Sequence, residues 1–562
     1  MEPDHSRSSA DRRDYDLIVI GAGINGVGIA LDAALRGLSV ALVEKEDICS
    51  GVSAWSGRLV HGGLRYLEHY DFGLVRESLV ERERLFRNAP HLVHPVPLMM
   101  PSFRHNRRSR WLVEIGMVLY DALSWRKTPP THRLLGRTAT LRRFPGISPE
   151  GLTGAAVFYD GQLELAERLC VEVALDAVAN GAQLMLHTRV TAPLVQDGRV
   201  VGVEAVDELT GEQVQLRAPV VYNVAGPWID RVFAPDSVPE QPRLNGGAKG
   251  SHLVVERFPG APTDVVYYES RRDGRLVLVI PWMDRVMIGT TDVRFEDDPG
   301  DARCDIGEAE YLLDEVNALV PEAGLTMDDV LYTLSGVRPL PYEPGVPESS
   351  ITRTHVLHDH AASGLPGLVT VVGGKLTTYR QLAEDAVDDC MRRLGRRDPG
   401  CPTRTRSLPG ARGFDGEQLR AELRARGADE RVARRLVRFY GAASLEVWSL
   451  AQATPALAEL AHAPSGMIRA ELVQAVSREQ AVTLADVLAR RTLTAFEPGH
   501  GLESVDGIAD VLADLLGWDA ERRQSEIDGY HAWLSHLDIP DPDGPRSDSF
   551  GAGAATTERT RA

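Results

Sequence analysis

The stretch that most constrains what this chain can fold into is residues 15–44. It reads Y-D-L-I-V-I, then G-A-G-I-N-G-V-G, then helix-compatible sequence, then G-L-S-V-A-L-V-E. The apolar runs 17–20 and 38–43 predict two buried parallel strands, with a helix over 24–36 between them and Gly37 closing it. Gly21, Gly23 and Gly26 follow the first strand at G-x-G-x-x-G spacing. In such a unit the first glycine makes the tight turn, the second lets the backbone approach a pyrophosphate, and the third lets helix and strand pack closely. Unpaired N–H groups and the helix dipole then favour phosphate at the helix N-terminus. Glu44 ends the second strand and can accept hydrogen bonds from a ribose diol, while its charge disfavours a 2′-phosphate and hence NADP. The glycines alone are weak evidence. Between two predicted strands, with an acid at the right distance, they specify a dinucleotide-binding unit. They do not separate FAD from NAD.

A chain of 562 residues accommodates two or three domains. The formal charge of −18 argues against a nucleic-acid partner but leaves room for a local basic face. Cys49, Cys170, Cys304, Cys390 and Cys401 are scattered without C-x-x-C, which implies a reducing compartment, no disulfide framework and no metal cluster. The polar N-terminal stretch has no secretory h-region and no apolar run reaches the length of a membrane span, so a cytoplasmic protein is expected.

Behind the nucleotide unit, residues 47–68 are rich in Ser and Gly and carry Arg58, His61, Arg65 and Tyr66. Chain of that type can approach a ligand closely. Residues 104–127 place R-H-N-R-R-S-R before an apolar segment bearing Trp111, Ile115, Val118, Leu119, Ala122 and Trp125 near helical spacing. The pattern suits a helix at a membrane interface or a core helix with basic flanks. Strand and turn signals run from 157 to 372, including a single strand over 182–191, a hairpin over 194–206 and a mixed or antiparallel substrate-facing sheet from 249. Cationic, glycine-rich turns recur at 61–66, 249–252, 336–338, 353 and 373–377. An anionic small substrate beside a dinucleotide is the simplest account, since arginine forks bind phosphate or carboxylate with two hydrogen bonds. Beyond 404 the sequence reads as helices over 417–440, 445–460 and 469–494. The expected organisation is a disordered lead-in (1–14), a dinucleotide domain interleaved with a substrate cap (15–403), a helical domain (404–537) and a disordered tail (538–562).

The motifs G-A-G-I-N-G-V-G-I-A, H-G-G-L-R-Y-L-E, A-G-P-W, K-G-S-H, I-P-W-M-D, I-G-T-T-D-V, S-G-V-R-P-L and G-G-K-L-T-T-Y-R occur in that order. In them the chain closely resembles the FAD-dependent, quinone-linked glycerol-3-phosphate dehydrogenases. The resemblance implies an α/β fold like that of glycine and D-amino-acid oxidases: an FAD-binding Rossmann-like domain, a mixed-sheet substrate cap and a C-terminal helical domain. It implies FAD, oxidation of sn-glycerol 3-phosphate to dihydroxyacetone phosphate, and electron transfer to the membrane quinone pool. It further implies a peripheral position on the inner face of the cell membrane, and it allows a homodimer. Carried over by motif, Arg65, Tyr66, Arg338 and Arg353 bind substrate, with Arg338 and Arg353 as phosphate anchors. His252 is the proton acceptor, with Arg338 and Lys375 beside it in the catalytic set. FAD is held by Gly21, Gly23, Ile24, Asn25, Gly26, Glu44, Ser53, Ser56, His61, Gly62 and Gly63. Val190, Ala225, Gly226, Gly374, Lys375, Leu376 and Thr377 complete that set. Val52, Trp55 and Gly57 stand where relatives favour small hydroxyls, leaving Ser53 and Ser56 as the pyrophosphate hydroxyls. A soluble oxidase using O₂ and a non-enzymatic flavin sensor are the alternatives. The cationic turns count against the sensor.

Overall fold

The computed structural model describes residues 13–64, 67, 71–124, 127–346 and 351–538. Strands Leu17–Ile20 and Val40–Val43 flank helix Ile24–Leu35, and every residue of both strands is buried. They sit centrally in a sheet ordered Val356–Asp359, Leu368–Val372, Val220–Asn223, Leu17–Ile20, Val40–Val43, Gln183–Met185. All neighbours are parallel except the first pair. Continuous apolar runs are what a parallel sheet covered on both faces requires. The chain therefore leaves the dinucleotide domain and returns to it several times.

A second, ten-stranded mixed sheet among the described residues holds strands Ala248–Val255 and Val330–Arg338, paired antiparallel along their length. Side chains alternate across such a pair. Ala248, Gly250 and His252 thus share a face with Leu334, Gly336 and Arg338, while Lys249 and Ser251 point the other way. A smaller sheet joins Thr188–Gln196, Arg199–Asp207 and Gln213–Arg217. The strand expected over 182–191 is two strands in two sheets. The break falls at His187, whose φ is +49° and whose N–H donates to the Glu46 carbonyl at 2.7 Å. The lead-in expected to residue 14 ends earlier, since Arg13–Asp14 pairs with Leu216 and Arg217. The disorder expected at either end otherwise falls outside the described residues, apart from Asp538, whose carbonyl accepts from Thr333 Oγ1 at 3.5 Å.

After residue 404 the chain is helical, with Gly416–Ala425, Glu430–Tyr440, Ser444–Ala453, Arg469–Ser477, Val505–Leu516 and Ala520–Leu534. The helix expected over 417–440 breaks at Gly427, where φ is +95°, and Asp429 caps its successor by accepting from the Arg431 N–H at 2.8 Å. The helix expected over 469–494 stops at Ser477, and Asp486–Arg491 forms a π-helical turn. Helix Arg110–Leu123 buries only Met117 and Tyr120. Trp111, Leu112, Ile115 and Val118 are exposed, so the helix is not the core element that one reading of its sequence allowed. Among the described residues no helix is long and apolar enough to cross a membrane.

Candidate active site

Gly21 turns the chain with φ at +105°, and a Cβ there would lie 2.8 Å from the Val224 carbonyl oxygen and 3.1 Å from the Ala225 Cα. The turn carrying Ala225 and Gly226 is therefore pressed against the dinucleotide turn. A Cβ on Gly26 would lie 1.8 Å from the Gly21 carbonyl oxygen, so helix and turn touch through this residue. The helix begins at Gly23 with no side-chain cap of its own and no acid in its first turn. Ser53 reaches in from the following loop, and its hydroxyl accepts from the Ile24 N–H at 3.1 Å. Glu44 is buried, accepting from Ala22 N at 2.7 Å and Glu46 N at 3.0 Å. Burial raises its pKa against those two hydrogen bonds. A carboxylate has lone pairs beyond these two bonds for a ribose diol.

Residues 51–63 run along the site as its spine. Trp55 packs on Gly336, where a Cβ would meet its side chain at 2.8 Å. Gly57 faces His252, with a Cβ position 3.2 Å from Nε2. Farther on, the His61 carbonyl accepts from Thr377 Oγ1 at 3.4 Å. Gly62 donates to Tyr120 Oη at 2.9 Å and to Asp160 Oδ1 at 3.3 Å. Tyr120 donates to Asp160 at 2.8 Å, and Arg82 Nη1 donates to Asp160 at 2.5 Å. This buried network holds the H-G-G turn in place. Gly63 is buried, with φ at +74°.

Two cationic groups flank this spine. In the first, His61, Arg353 and Lys375 feel one another's charge. His61 is exposed, but the protein atoms packed round its ring lower its pKa; Asp160 opposes this, and Lys375 and Arg353 add to it. The Lys375 pKa falls to about 7, through burial first and then Arg353, against Glu77 and Asp71. Lys375 Nζ donates to Ser78 Oγ at 3.4 Å. In the second group, Arg338 lies across Gly250 and donates to Asp292 Oδ1 at 2.9 Å, Thr290 Oγ1 at 2.8 Å and the Thr291 carbonyl at 3.1 Å. Its neighbour His252 is 3% exposed. Burial, then Arg338 and Arg58, pull its pKa down to about 3, so the imidazole is neutral.

Of the remaining cofactor candidates, Gly374 sits against Asn25, a Cβ there lying 2.7 Å from Nδ2, and Leu376 packs on the core. Val190 is buried in the apolar cluster under the ends of the central strands. Arg65 and Tyr66 lie outside the described residues. Sequence reasoning missed Tyr120, Asp160 and the Arg338 partners Thr290 and Asp292. Tyr120 carried one signal, a polar tip on the helix face that also presents Met117. Lys249 was grouped with the cationic turns, but Glu308 takes it at 2.8 Å on the far face of the sheet.

Asn25 Oδ1 and Ser56 Oγ are buried without a hydrogen-bond partner among the described residues. Buried polar atoms of this kind call for a partner from outside the protein or for water. Together with the glycine cradle, the helix N-terminus and Glu44, this donor set fits FAD: Gly23 and the helix start would hold its pyrophosphate, Glu44 its ribose, and Asn25, Ser56 and Gly374 would be left for the remainder of the cofactor.

Comparison with known proteins agrees. Residues 16–380 match the family model described as FAD dependent oxidoreductase, and residues 401–523 match that of the C-terminal domain of alpha-glycerophosphate oxidase. The glycerol-3-phosphate dehydrogenase of Synechocystis sp. is 41% identical over 539 residues, covering 94% of this chain and 97% of that protein. The structure of the Bacillus halodurans glycerol-3-phosphate dehydrogenase complexed with FAD superposes with a TM-score of 0.77 at 28% identity, over 95% of this chain and 97% of that one. Glycine oxidase from Geobacillus kaustophilus, at 20% identity and a TM-score of 0.51 over 70% of this chain and 99% of that one, shares the fold. A flavin cradle built from returning segments, capped by a mixed sheet and followed by this helical domain, places the chain in the FAD-dependent glycerol-3-phosphate dehydrogenase family of oxidoreductases.

Proposed function

We propose that this enzyme oxidises sn-glycerol 3-phosphate at C2 to dihydroxyacetone phosphate and passes the electrons to the membrane quinone pool. FAD supplies the hydride acceptor. The observation that carries the reading is two cationic groups on either side of residues 51–63: His61, Arg353 and Lys375 at one end, and Arg338 with His252 on paired strands, His252 against Gly57, at the other. Arg353 and Lys375 offer charge to an anionic phosphate, and Arg338, braced by Asp292 and Thr290, presents a fixed guanidinium. His252, neutral at working pH, takes the proton of the C2 hydroxyl. The negative charge of a bound phosphate offsets the cations that otherwise oppose an imidazolium there. Arg65 and Tyr66 belong to the same substrate set by motif. His252→Ala then lowers kcat by roughly 10²–10⁴-fold, the usual worth of a general base, with a smaller change in KM. If turnover survives, another group is the base.

Anaerobic addition of glycerol 3-phosphate to the purified protein tests the substrate: the flavin band bleaches if the reading is right. A flavin that stays oxidised removes the substrate and keeps the fold.

The acceptor reading rests on helix Arg110–Leu123, whose exposed apolar face suits a peripheral position on the inner face of the cell membrane. The match to an oxidase C-terminal domain gives the O₂ reading its one support. Peroxide yield against quinone reduction, on the same preparation, separates the two. Sedimentation equilibrium decides whether the enzyme works as a homodimer.

A further inference from the structure

The loop that follows Glu44 is held from the far end of the chain. Asp47 is fully buried, three residues beyond Glu44. Its Oδ2 accepts from Arg490 Nε and Arg491 Nη1, both at 2.7 Å, and its Oδ1 accepts from Arg491 Nη2 at 2.8 Å. These arginines lie more than 440 residues away, in the helical domain, on the π-helical turn Asp486–Arg491. The wider turn lets two consecutive side chains reach one carboxylate, and π-turns recur at functional positions.

Neither arginine is held by Asp47 alone. Arg490 also donates to Asp486 Oδ1 at 2.8 Å, and Arg491 donates to the Glu479 carbonyl at 2.9 Å. Glu479 in turn takes a two-pronged bond from Arg168, at 2.6 and 2.9 Å. His187 joins the same cluster. Its Nε2 pairs with Asp486 Oδ2 at 3.1 Å, and its backbone N–H donates to the Glu46 carbonyl at 2.7 Å. The loop is therefore gripped at Glu46 by His187 and at Asp47 by two guanidinium groups. The loop is also tied to the dinucleotide turn on both sides of Asp47: the Glu44 carboxylate accepts from Ala22 N at 2.7 Å, and the Cys49 N–H donates to the Ala22 carbonyl at 3.0 Å. A helical domain that merely needed anchoring could be pinned anywhere. It is in fact pinned at several places, among them Arg168 by Glu479 and Asp176 by Arg406; the two guanidinium groups on Asp47 are the pins that fall on the loop carrying the ribose-binding acid.

We propose that Arg490 and Arg491 are positioning residues for the adenosine half of FAD. They hold Asp47, Asp47 fixes the loop, and the loop sets the Glu44 carboxylate against the ribose hydroxyls. The helical domain thereby completes the cofactor site without touching the cofactor. The proposal rests on the assignment of Glu44 to the ribose.

ADP carries the adenosine half of FAD and lacks the flavin, which makes it the discriminating probe. FAD affinity is read from the fluorescence of flavin released on diluting the full-length holoenzyme. ADP affinity is read from its competition with FAD during reconstitution of the full-length apoprotein. Arg490→Gln is expected to weaken FAD and ADP by the same factor, about tenfold or more, with Arg490→Lys restoring part of the loss. Arg406→Gln serves as the control. It removes a contact between the region after residue 400 and Asp176, 2.7 Å long, that does not touch the Glu44 loop. It is expected to lower Tm and leave ADP affinity unchanged. Equal losses in Arg490→Gln and Arg406→Gln, or an Arg490→Gln protein with lower Tm and wild-type ADP affinity, would overturn the proposal. Should Arg490→Gln fail to fold, Asp47→Asn keeps the shape of the acceptor and is judged by the same two affinities. Glu44→Gln identifies which step failed. If it too leaves ADP affinity intact, the ribose assignment is wrong; if it weakens ADP while Arg490→Gln does not, the clamp alone is wrong.

Discussion

If helix Arg110–Leu123 is the membrane contact proposed above, replacing Trp111 and Ile115 by serine should weaken binding to membranes while leaving the flavin chemistry intact. The two side chains are 78% and 65% exposed on the outer face of helix Arg110–Leu123, with Leu112 and Val118 beside them. Fully burying a large apolar side chain is worth about 1.5–3 kcal/mol. Scaled by these exposures, the pair offers a bilayer about 3 kcal/mol, which is roughly a hundredfold in partition coefficient at 1.4 kcal/mol per decade. Arg104, Arg107 and Arg110 are exposed at the same end of the helix, on a chain whose overall charge is −18. Basic residues near an anionic surface contribute about 1 kcal/mol each, so exchanging phosphatidylserine-containing vesicles for neutral ones should weaken binding to a similar degree. Co-sedimentation with vesicles of each composition gives both ratios, and substrate-dependent bleaching of the flavin verifies that the variant is intact. The inner face of the helix, where Tyr120 supports Gly62, is untouched by the substitution. A double variant that partitions like the wild type, or binding indifferent to lipid charge, would refute the reasoning and return this helix to an ordinary surface element.

Other consequences are sharper in readout. Gly26→Ala places a methyl group 1.8 Å from the Gly21 carbonyl oxygen, so the protein should purify without its flavin absorbance, and reconstitution with FAD should fail. Lys375 is charged below about pH 7 and neutral above it, because burial and Arg353 hold its pKa down. As a contributor to anion binding it makes kcat/KM fall as pH rises through about 7, and Lys375→Met should remove that limb and lower the acid-side plateau. Arg58 and Glu167 form a fully buried pair at 2.5 and 2.8 Å. Arg58→Met leaves the carboxylate unpaired and should cost about 3–5 kcal/mol, read as a fall in the denaturant midpoint.

The nucleotide unit was legible because its signals are local. The buried-strand runs at 17–20 and 40–43, the three glycines and Glu44 lie within about thirty residues, and each constrains its immediate neighbours. The ordered motifs extended this to the family, and strand alternation then explains why His252 and Arg338 share a face that Lys249 does not. Where local signals competed, the sequence alone could not decide. The segment 182–191 has strand propensity throughout, yet it divides between two sheets because each half pairs with a different partner. Helix Arg110–Leu123 has an amphipathic pattern that suits either burial or exposure, and only the absence of a packed element over Trp111 and Ile115, among the described residues, makes that face the outer one. The supports of the site were least visible. Asp160 beneath Gly62, and Arg490 and Arg491 on Asp47, are ordinary charged residues in sequence. Their role depends on which distant segment reaches them, and that is set by the packing of three sheets and a helical domain, not by periodicity. Secondary structure and the cofactor turn follow from forces between neighbours along the chain. The geometry that aims Glu44, His61 and Arg338 follows from buried charges that find their partners only once the whole chain has closed.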